Sequence, residues 1–295
     1  MSFANLKLFR DIAQARSLSR AAELNHVSTS AASQHVNELE KNLGVRLLDR
    51  STRPLSLTAE GRLYEDLCRD VLRRNDEFKA ALDEHRTDVE GTVRVAAIYS
   101  VGLSEMSRLE AKLQEQLPHV KVEVDYLRPE KVYEAVAEDR VDIGLVSYPE
   151  STRDISVIPW REEEMVVAMA PSHRLAHLEC IEPVDLKGTD FISFDEDLPI
   201  ARQIARYLRS ADVTVNAAMH FDNIQTIKEA VMLGSGISLV PRRILAAELA
   251  DRRISAVPLA EPGLFRPLGI IHRRRKKFNR AAQAFLDMLR ETPAE

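Results

Sequence analysis

The spacing of apolar residues changes once along the chain, near Glu90 and Gly91, and this change constrains the fold more than any other feature. Before it, apolar residues recur every three or four positions, which is typical of amphipathic helices. After it, short β-rich runs alternate with helical segments, which is typical of sheets covered by helices. The sequence therefore predicts a helical N-terminal part and an α/β C-terminal part, and 295 residues suffice for two or three domains.

The C-terminal part contains a series of predicted strands separated by predicted helices. In chain order the strands are TVRVAAI, VKVEVDYL, VDIGLVS, EMVVAMAP, DFISF, NAAMHF, GISLVP and RPLGIIH. This alternation favours a parallel sheet with covering helices, and two successive sets of elements favour two lobes. The last strand and the helix FNRAAQAFLDML are expected to return to the first lobe.

Three short helices are predicted before Gly44. The first spans Phe3 to Ala15, and the second begins at Ser19, which we expect to act as its N-cap. A second capping serine, Ser28, precedes the third helix, which Gly44 ends. The positions of the third helix that are predicted to face inward are Ala32, Val36, Leu39 and Leu43.

The outer face of the third helix has an unusual composition, because no carboxylate occurs between Asn25 and Asn37. Solvated helix faces usually mix glutamate and lysine, and a face of that kind is the alternative interpretation. A helix in the major groove of DNA must instead keep acids away from phosphates and carry short polar side chains that reach base edges. The predicted DNA contacts here are Thr29, Ser30, Ser33, Gln34 and His35.

A β-hairpin is predicted directly after Gly44, in the segment VRLLDRSTRPLSLTAEG. Its polar turn spans residues 50–54 and carries Arg50 and Arg53, which we expect to contact DNA. Arg53 is suited to enter a minor groove or to hold a phosphate. Thr58 and Gly61 then mark the start of a further helix.

Charge divides unevenly along the chain. Residues 1–60 carry eight lysines and arginines against six acids, a net charge of +2, so the remainder must carry −7 of the total of −5. A slightly basic N-terminal part can bind a polyanion, while the acidic remainder can have a separate function. No signal peptide or run of ~20 apolar residues is evident, and the chain has only two cysteines, so we expect a reduced cytoplasmic protein without a membrane partner.

The segment from Ser17 to Gly61 resembles the winged helix-turn-helix of the LysR-type transcriptional regulators. The residues that carry the resemblance are Ala21, Ala22, Leu24, Val27, Ser28, Ala31, Ser33, Leu39, Glu40, Leu43, Gly44, Leu47, Arg50, Arg53, Leu57, Thr58 and Gly61. The chain departs from the family at Thr29 and Ser30, where Gln-Pro is usual, and at Gln34, where a basic residue is frequent. The binding mode of the family is therefore expected here, but not its base preference.

The resemblance covers the whole chain and implies its organisation. A winged helix-turn-helix is expected in residues 1–60, a linker helix in 61–90, and a two-lobed α/β effector-binding domain similar to periplasmic binding proteins in 91–295. Lobe I would comprise residues 91–162 and 267–295, and lobe II residues 163–266. In the family the linker helix pairs between subunits, and packing within one subunit is the alternative. The apolar stripe of this helix is Leu63, Leu67, Val71, Phe78 and Leu82.

Ligands of α/β lobes sit beyond the carboxyl ends of strands, where helices begin. Counting along the strands gives the expected effector contacts as Ser100, Val101, Ser147, Phe194, Arg202 and Asn223. Their hydroxyls, amide and guanidinium suit a small carboxylate or another anion. The sequence thus predicts a regulator of transcription without a cofactor. Its expected partners are an operator in double-stranded DNA, a small-molecule effector, and one or three further copies of the chain, with RNA polymerase as a further candidate.

An enzyme and a solute-binding protein are the rival classes for a two-lobed body. No G-x-S-x-G, Walker A or H-E-x-x-H motif occurs, and the N-terminal helix-turn-helix and the lack of an export signal argue against a solute-binding protein. His173, His177 and Cys180 have a spacing that could hold zinc, but no fourth ligand is evident. The basic run HRRRKK is interpreted as the solvated entrance to the last helix rather than as a second nucleic-acid patch.

Overall fold

The computed structural model describes residues 2–51, 54–83 and 89–291. Contacts between residues divide the chain into two units, Met1–Arg86 and Thr87–Glu295, which we call the head and the body. The elements of the head are α1 (Phe3–Ala15), α2 (Leu18–Leu24), α3 (Thr29–Leu43), β1 (Leu48–Asp49), β2 (Ser56–Leu57) and α4 (Ala59–Asp83).

Serine side chains cap the helices that form the helix-turn-helix. The Ser28 hydroxyl accepts a hydrogen bond from the N–H of Ala31 at 3.1 Å, as predicted for the start of α3. The prediction for Ser19 is wrong, because α2 begins one residue earlier and the hydroxyl of Ser17 accepts from the N–H of Arg20. Two serines flank the first residue of this helix, and periodicity alone does not separate them.

The core of the head joins α1, α2 and α3 to the first half of α4. Phe9 and Ile12 are fully buried, and the ring of Phe9 meets that of Tyr64 edge-on at 4.8 Å between centroids. Ala32 and Val36 face this core as predicted. Leu43 does not, since it is 45% exposed in the last turn of α3, beyond the end of the core.

The predicted hairpin is present as the antiparallel pair β1–β2, in which Leu48 lies opposite Leu57. Thr58 closes it, because its hydroxyl donates to the carbonyl of Arg46 and accepts from the N–H of Gly61. A Cβ atom at Gly61 would lie 2.0 Å from the carbonyl oxygen of Leu47. Only glycine therefore allows α4 to start against the hairpin.

The body has the predicted alternation of strands and helices. Its elements are β3 (Gly91–Ile98), α5 (Tyr99–Gln116), β4 (Val120–Leu127), α6 (Pro129–Ala137), β5 (Ile143–Ser147), β6 (Ile155–Met169), β7 (Asp190–Phe194), α7 (Pro199–Ser210), β8 (Asn216–Phe221), α8 (Ile224–Met232), β9 (Ser238–Pro241), α9 (Ala246–Ala250), β10 (Ser255–Pro258), β11 (Phe265–Arg273) and α10 (Arg280–Glu291).

The sheets of the body are mixed, which corrects the expectation of a parallel sheet. β3 is parallel to β4 and β5, and β7 is parallel to β8. β6 and β11, however, run antiparallel to each other along their length, and β9 and β10 pair antiparallel with the end of β6. The two long strands connect the lobes, and a strand that crosses and returns must pair antiparallel with its counterpart.

Two separate apolar cores confirm the two lobes. One is built around β3, β5, α6 and α10, and the other around β7, β9, α7 and α8.

The exact residue limits of the three domains stay a prediction. The predicted strands did not include the first half of β6 or any of β10. Residues 99–102, which come directly after β3, form the first turn of α5. Within the described ranges, no helix combines the length and the apolar character that crossing a bilayer requires.

Candidate DNA-binding face and ligand cavity

The outer face of α3 is open to solvent. Thr29, Ser30 and Gln34 are exposed, and Ser33 is half-buried beside them. The hydroxyls of Ser28 and Ser30 lie 2.9 Å apart at the start of the helix. The first turn of α3 carries no acidic residue, so its N-terminal dipole is available to an anion such as a phosphate.

Arg50 links the hairpin to α3. Its guanidinium donates to the side-chain carbonyl of Asn37 at 2.6 Å and lies 3.7 Å from the carboxylate of Glu40. Glu40 also accepts from the backbone N–H groups of Leu47 and Leu48, so its charge is held against the base of the hairpin rather than presented outward. The exposed stripe therefore stays free of carboxylates although an acid lies close by.

One predicted DNA contact, His35, does not clearly belong to this face, and another cannot be placed on it. The ring of His35 is half-buried, and its Nε2 atom is buried with no hydrogen-bond partner among the described residues. The Nε2 atom is thus turned away from solvent, which argues against a contact with DNA through this atom. Arg53 lies outside the described residues.

The apolar stripe of α4 is mostly exposed. Leu63 is 72% exposed and Phe78 is 61% exposed, and Leu67 and Leu82 are exposed as well. Val71 differs from them, because it is half-buried against the core of the head. Several large exposed apolar side chains on one helix are typical of an interaction surface.

Cys68 belongs to the core of the head and not to the stripe. Its side chain is fully buried, and burial raises the pKa of the thiol to about 12. A thiol of this kind stays protonated and unreactive at neutral pH. Cys68 is therefore a small packing residue of this core.

A small cavity lies between the two lobes of the body. Among the described elements, α5, α6, α7 and α8 all begin at its wall. The N-cap residues of the first three are Ile98, Arg128 and Leu198, and none provides a side-chain hydrogen bond to its helix. The positive ends of four helix dipoles thus converge on one cavity, which favours negative charge inside it.

Three of the six predicted effector contacts line this cavity, namely Ser100, Ser147 and Phe194. The other three do not. Val101 is fully buried in the core of lobe I, because residues 99–102 form a helical turn. Arg202 donates to the backbone carbonyl of Asp197 at 2.7 Å, and the side chain of Asn223 caps α8 by accepting from the N–H of Gln225.

Sequence reasoning missed Arg266, which forms the floor of the cavity. It is only 1% exposed, its Nε donates to Oε2 of Glu163 at 3.0 Å, and its Nη2 contacts the same oxygen. Its Nη1 donates to the Ser100 hydroxyl at 2.9 Å. Arg266 and Glu163 are direct neighbours across β11 and β6, so the antiparallel pairing of the long strands creates this ion pair.

Sequence reasoning also missed Arg128, which lies at the wall of the cavity where α6 begins. Its guanidinium contacts Asp197 at 2.6 Å and Asp222 at 3.1 Å, both contributed by lobe II, and Glu130 of its own lobe at 3.1 Å. The sequence did contain a feature that could have identified it: Arg128 follows a strand and precedes a helix with proline at its first position.

The possible zinc ligands and the basic run HRRRKK, both noted in the sequence, are the remaining candidates for a functional role. The Nδ1 atom of His173 accepts from the N–H of Leu175 and caps a short 3₁₀ helix. No group of three or more histidines, cysteines and acids suited to a metal ion occurs in the described part of the chain. Within the run HRRRKK, Lys276 pairs with Asp139 at 2.7 Å and with Asp142 at 3.0 Å.

Comparison with known proteins agrees with this architecture. The family described as "Bacterial regulatory helix-turn-helix protein, lysR family" matches residues 3–62, and the family "LysR substrate binding domain" matches residues 86–294. The chain is 30% identical over 290 residues to the uncharacterized HTH-type transcriptional regulator YeiE of Escherichia coli K12, covering 97% of this chain and 96% of that protein. It is 26% identical to the HTH-type transcriptional regulator CysL of Bacillus subtilis, with 98% and 97% covered.

Solved structures show the same fold. A full-length OxyR variant from Pseudomonas aeruginosa superimposes with a TM-score of 0.75 at 21% identity, over 98% of this chain and 93% of that one. Full-length CbnR in complex with its target DNA gives a TM-score of 0.67 at 21% identity, over 98% and 99%. With both family matches and the relatives in agreement, the chain belongs to the LysR family of DNA-binding transcriptional regulators.

Proposed function

We propose that the exposed face of α3 reads an operator and that a small anion in the interlobe cavity modulates this binding. The DNA contacts would come from Thr29, Ser30, Ser33 and Gln34, with Arg50 and Arg53 on the hairpin. The carboxylate-free surface of α3 supports this assignment. Gln34 suits two hydrogen bonds to an adenine, and the serine and threonine at the helix N-terminus suit phosphate contacts.

The convergence of four helix N-termini on the interlobe cavity carries the proposal of an anionic effector. Ser100 and Ser147 would donate to the effector, and its apolar part would contact Phe194 and the neighbouring leucine and isoleucine side chains. A carboxylate or a similar oxyanion fits this combination, because backbone N–H groups and hydroxyls donate to it while apolar walls exclude water.

We further propose that the protein acts as a homodimer or homotetramer through the exposed stripe of α4. Two copies of the stripe would bury each other and bring two heads to neighbouring half-sites of an operator. A protein that acts on bacterial DNA works in the cytoplasm, where RNA polymerase is a candidate partner. The protein works by binding in this proposal, so turnover of a cavity ligand would favour the rival enzymatic function.

Selection of duplexes from random DNA by the full-length protein tests the DNA-binding part. One preferred site should emerge, and Gln34→Ala should weaken binding to it by about 1–3 kcal/mol while relaxing base choice at one position. Gln114→Ala, an exposed glutamine on α5, is the matched control and should bind like the wild type. Unchanged affinity and unchanged base choice in Gln34→Ala would show that α3 does not read the operator as assigned.

A further inference from the structure

The two lobes are joined at the edge of the cavity by charged side chains. The Arg128 guanidinium of lobe I contacts the carboxylates of Asp197 and Asp222 of lobe II with two different nitrogens, Nη2 at 2.6 Å and Nη1 at 3.1 Å. Arg128 and Asp222 both line the cavity. We call these three residues the clasp.

Neighbouring residues hold both carboxylates of the clasp in place. The Arg202 guanidinium donates to the backbone carbonyl of Asp197. Asn223 caps α8 immediately after Asp222, which fixes the start of that helix. The carboxylates are therefore presented to Arg128 by ordered elements of lobe II.

The clasp differs from the ion pair on the floor of the cavity in how readily it can exchange partners. Arg266 and Glu163 are both almost fully buried, so separating them would leave an uncompensated charge in the interior. In the clasp, the side chains of Asp197 and Asp222 are 69% and 50% exposed, so water can solvate either carboxylate once it leaves Arg128. Exposed ion pairs of this kind contribute little and are screened by salt.

We propose that the clasp occupies the effector's anion-binding position in the ligand-free protein, with Asp197 and Asp222 acting as internal substitutes for the effector. An entering carboxylate or similar oxyanion takes Arg128 from the two aspartates. The contact that joins the lobes is then broken, and the bound anion joins them instead. Arg128 therefore favours negatively charged effectors. To displace the two aspartates, an effector must bind Arg128 more strongly than they do.

This inference rests on the proposed anionic effector but not on DNA binding, so it is tested without DNA. The first probe is sulfate, titrated against the full-length protein at constant ionic strength so that the screening of exposed charges stays the same throughout. Neutralising both carboxylates, in Asp197→Asn with Asp222→Asn, should tighten sulfate binding about five-fold, because two exposed ion pairs no longer compete for Arg128. Arg128→Gln should weaken it by a similar factor.

A matched control removes an ion pair of the same helix that stays within one lobe. Lys131 and Glu134 pair at 2.7 Å on α6, and Lys131→Gln with Glu134→Gln should leave sulfate binding unchanged. Equal affinity in the double aspartate variant and the wild type would overturn the proposal. Wild-type affinity in Arg128→Gln would overturn it as well.

The second measurement reports on lobe separation without any ligand. In a Cys180→Ser background, Ser147→Cys places a thiol in the cavity wall, where the native side chain is 7% exposed. In the protein that keeps both aspartates, the rate at which iodoacetamide alkylates this thiol should rise as salt is added. In the double aspartate variant it should be about five-fold faster and insensitive to salt.

A rate that the aspartate substitutions leave unchanged would show that the clasp does not hold the lobes and would overturn the proposal. Melting curves that match the wild type would show that the variants are folded. The outcome is separate from the DNA-binding test above: a protein that selects no operator could still show the clasp, and a sequence-specific binder could lack it.

Discussion

Removing the guanidinium of Arg266 is expected to destabilise the body, because the substitution leaves the Glu163 carboxylate buried without a counter-ion. Arg266 is 1% exposed and Glu163 is 5% exposed, and two nitrogens of the arginine contact one oxygen of the glutamate. In Arg266→Met the glutamate must stay charged in the interior, take up a proton, or move to solvent. Each route costs free energy of folding.

The magnitude follows from this burial. Breaking a buried pair by removing one partner costs about 3–5 kcal/mol. For a body of this size, each kcal/mol lowers the melting temperature by about 2–4 °C, so Arg266→Met should melt about 6–20 °C below the wild type. Replacing both partners, in Glu163→Leu with Arg266→Met, should recover most of the loss, because two apolar side chains of similar volume leave no charge behind.

Fluorescence of Trp160 is the assay, since it is the only tryptophan of the chain and lies in β6 of the body. Its indole donates to the carbonyl of Leu289 at 2.8 Å, so the signal changes when the body unfolds. Arg206→Met removes an exposed arginine and is the matched control, with an expected change below about 0.5 kcal/mol. A loss below about 1 kcal/mol in Arg266→Met, or a double variant as unstable as the single one, would refute the reasoning.

Two further predictions concern reactivity and assembly. Cys180 is exposed whereas Cys68 is buried with a pKa raised to about 12, so at pH 8 a thiol reagent should modify one cysteine rapidly and the second only after unfolding; two rapid equivalents would contradict the burial of Cys68. Leu67→Asp with Phe78→Asp, on the exposed stripe of α4, should lower the mass measured by light scattering toward a single chain, while Arg74→Asp on the same helix should not. Unchanged mass in the double variant would show that the stripe does not join subunits.

Local features of the head could be predicted from the sequence because they depend on neighbours a few residues apart. The Ser28 cap, the end of α3 at Gly44 and the hairpin all follow from capping and turn preferences. The misplaced Ser19 cap shows the limit of the same reasoning, because two serines lie within one turn and only the packed helix selects Ser17.

The cavity could be predicted only in part, because its key contacts join distant residues. Ser147 and Phe194 are the last residues of β5 and β7, and Ser100 comes shortly after β3, so counting along the strands places all three at the cavity. Arg266 meets Glu163 through antiparallel pairing of β11 with β6, and hydrophobic periodicity does not indicate which strands pair or in which direction. Arg128 meets Asp197 and Asp222 through the placement of one lobe on the other, of which the sequence carries no local sign.

Occupancy of the interlobe cavity is expected to change how the head engages its operator. A ligand can bias DNA binding only by its difference in affinity for the two arrangements of the protein, and a coupling of about 1–3 kcal/mol would be typical. A ligand is first found by thermal shift of the full-length protein against small carboxylates and other oxyanions. The operator is the duplex selected by the same protein.

The deciding measurement is the footprint on that operator with and without the ligand, for the wild type and for Ser100→Ala with Ser147→Ala. The wild-type footprint should change in extent or affinity at ligand concentrations that stabilise the protein. The double serine variant should keep the ligand-free footprint and need a higher ligand concentration for the same change, because two donors at the cavity are lost. A wild-type footprint that no stabilising ligand alters would contradict the account.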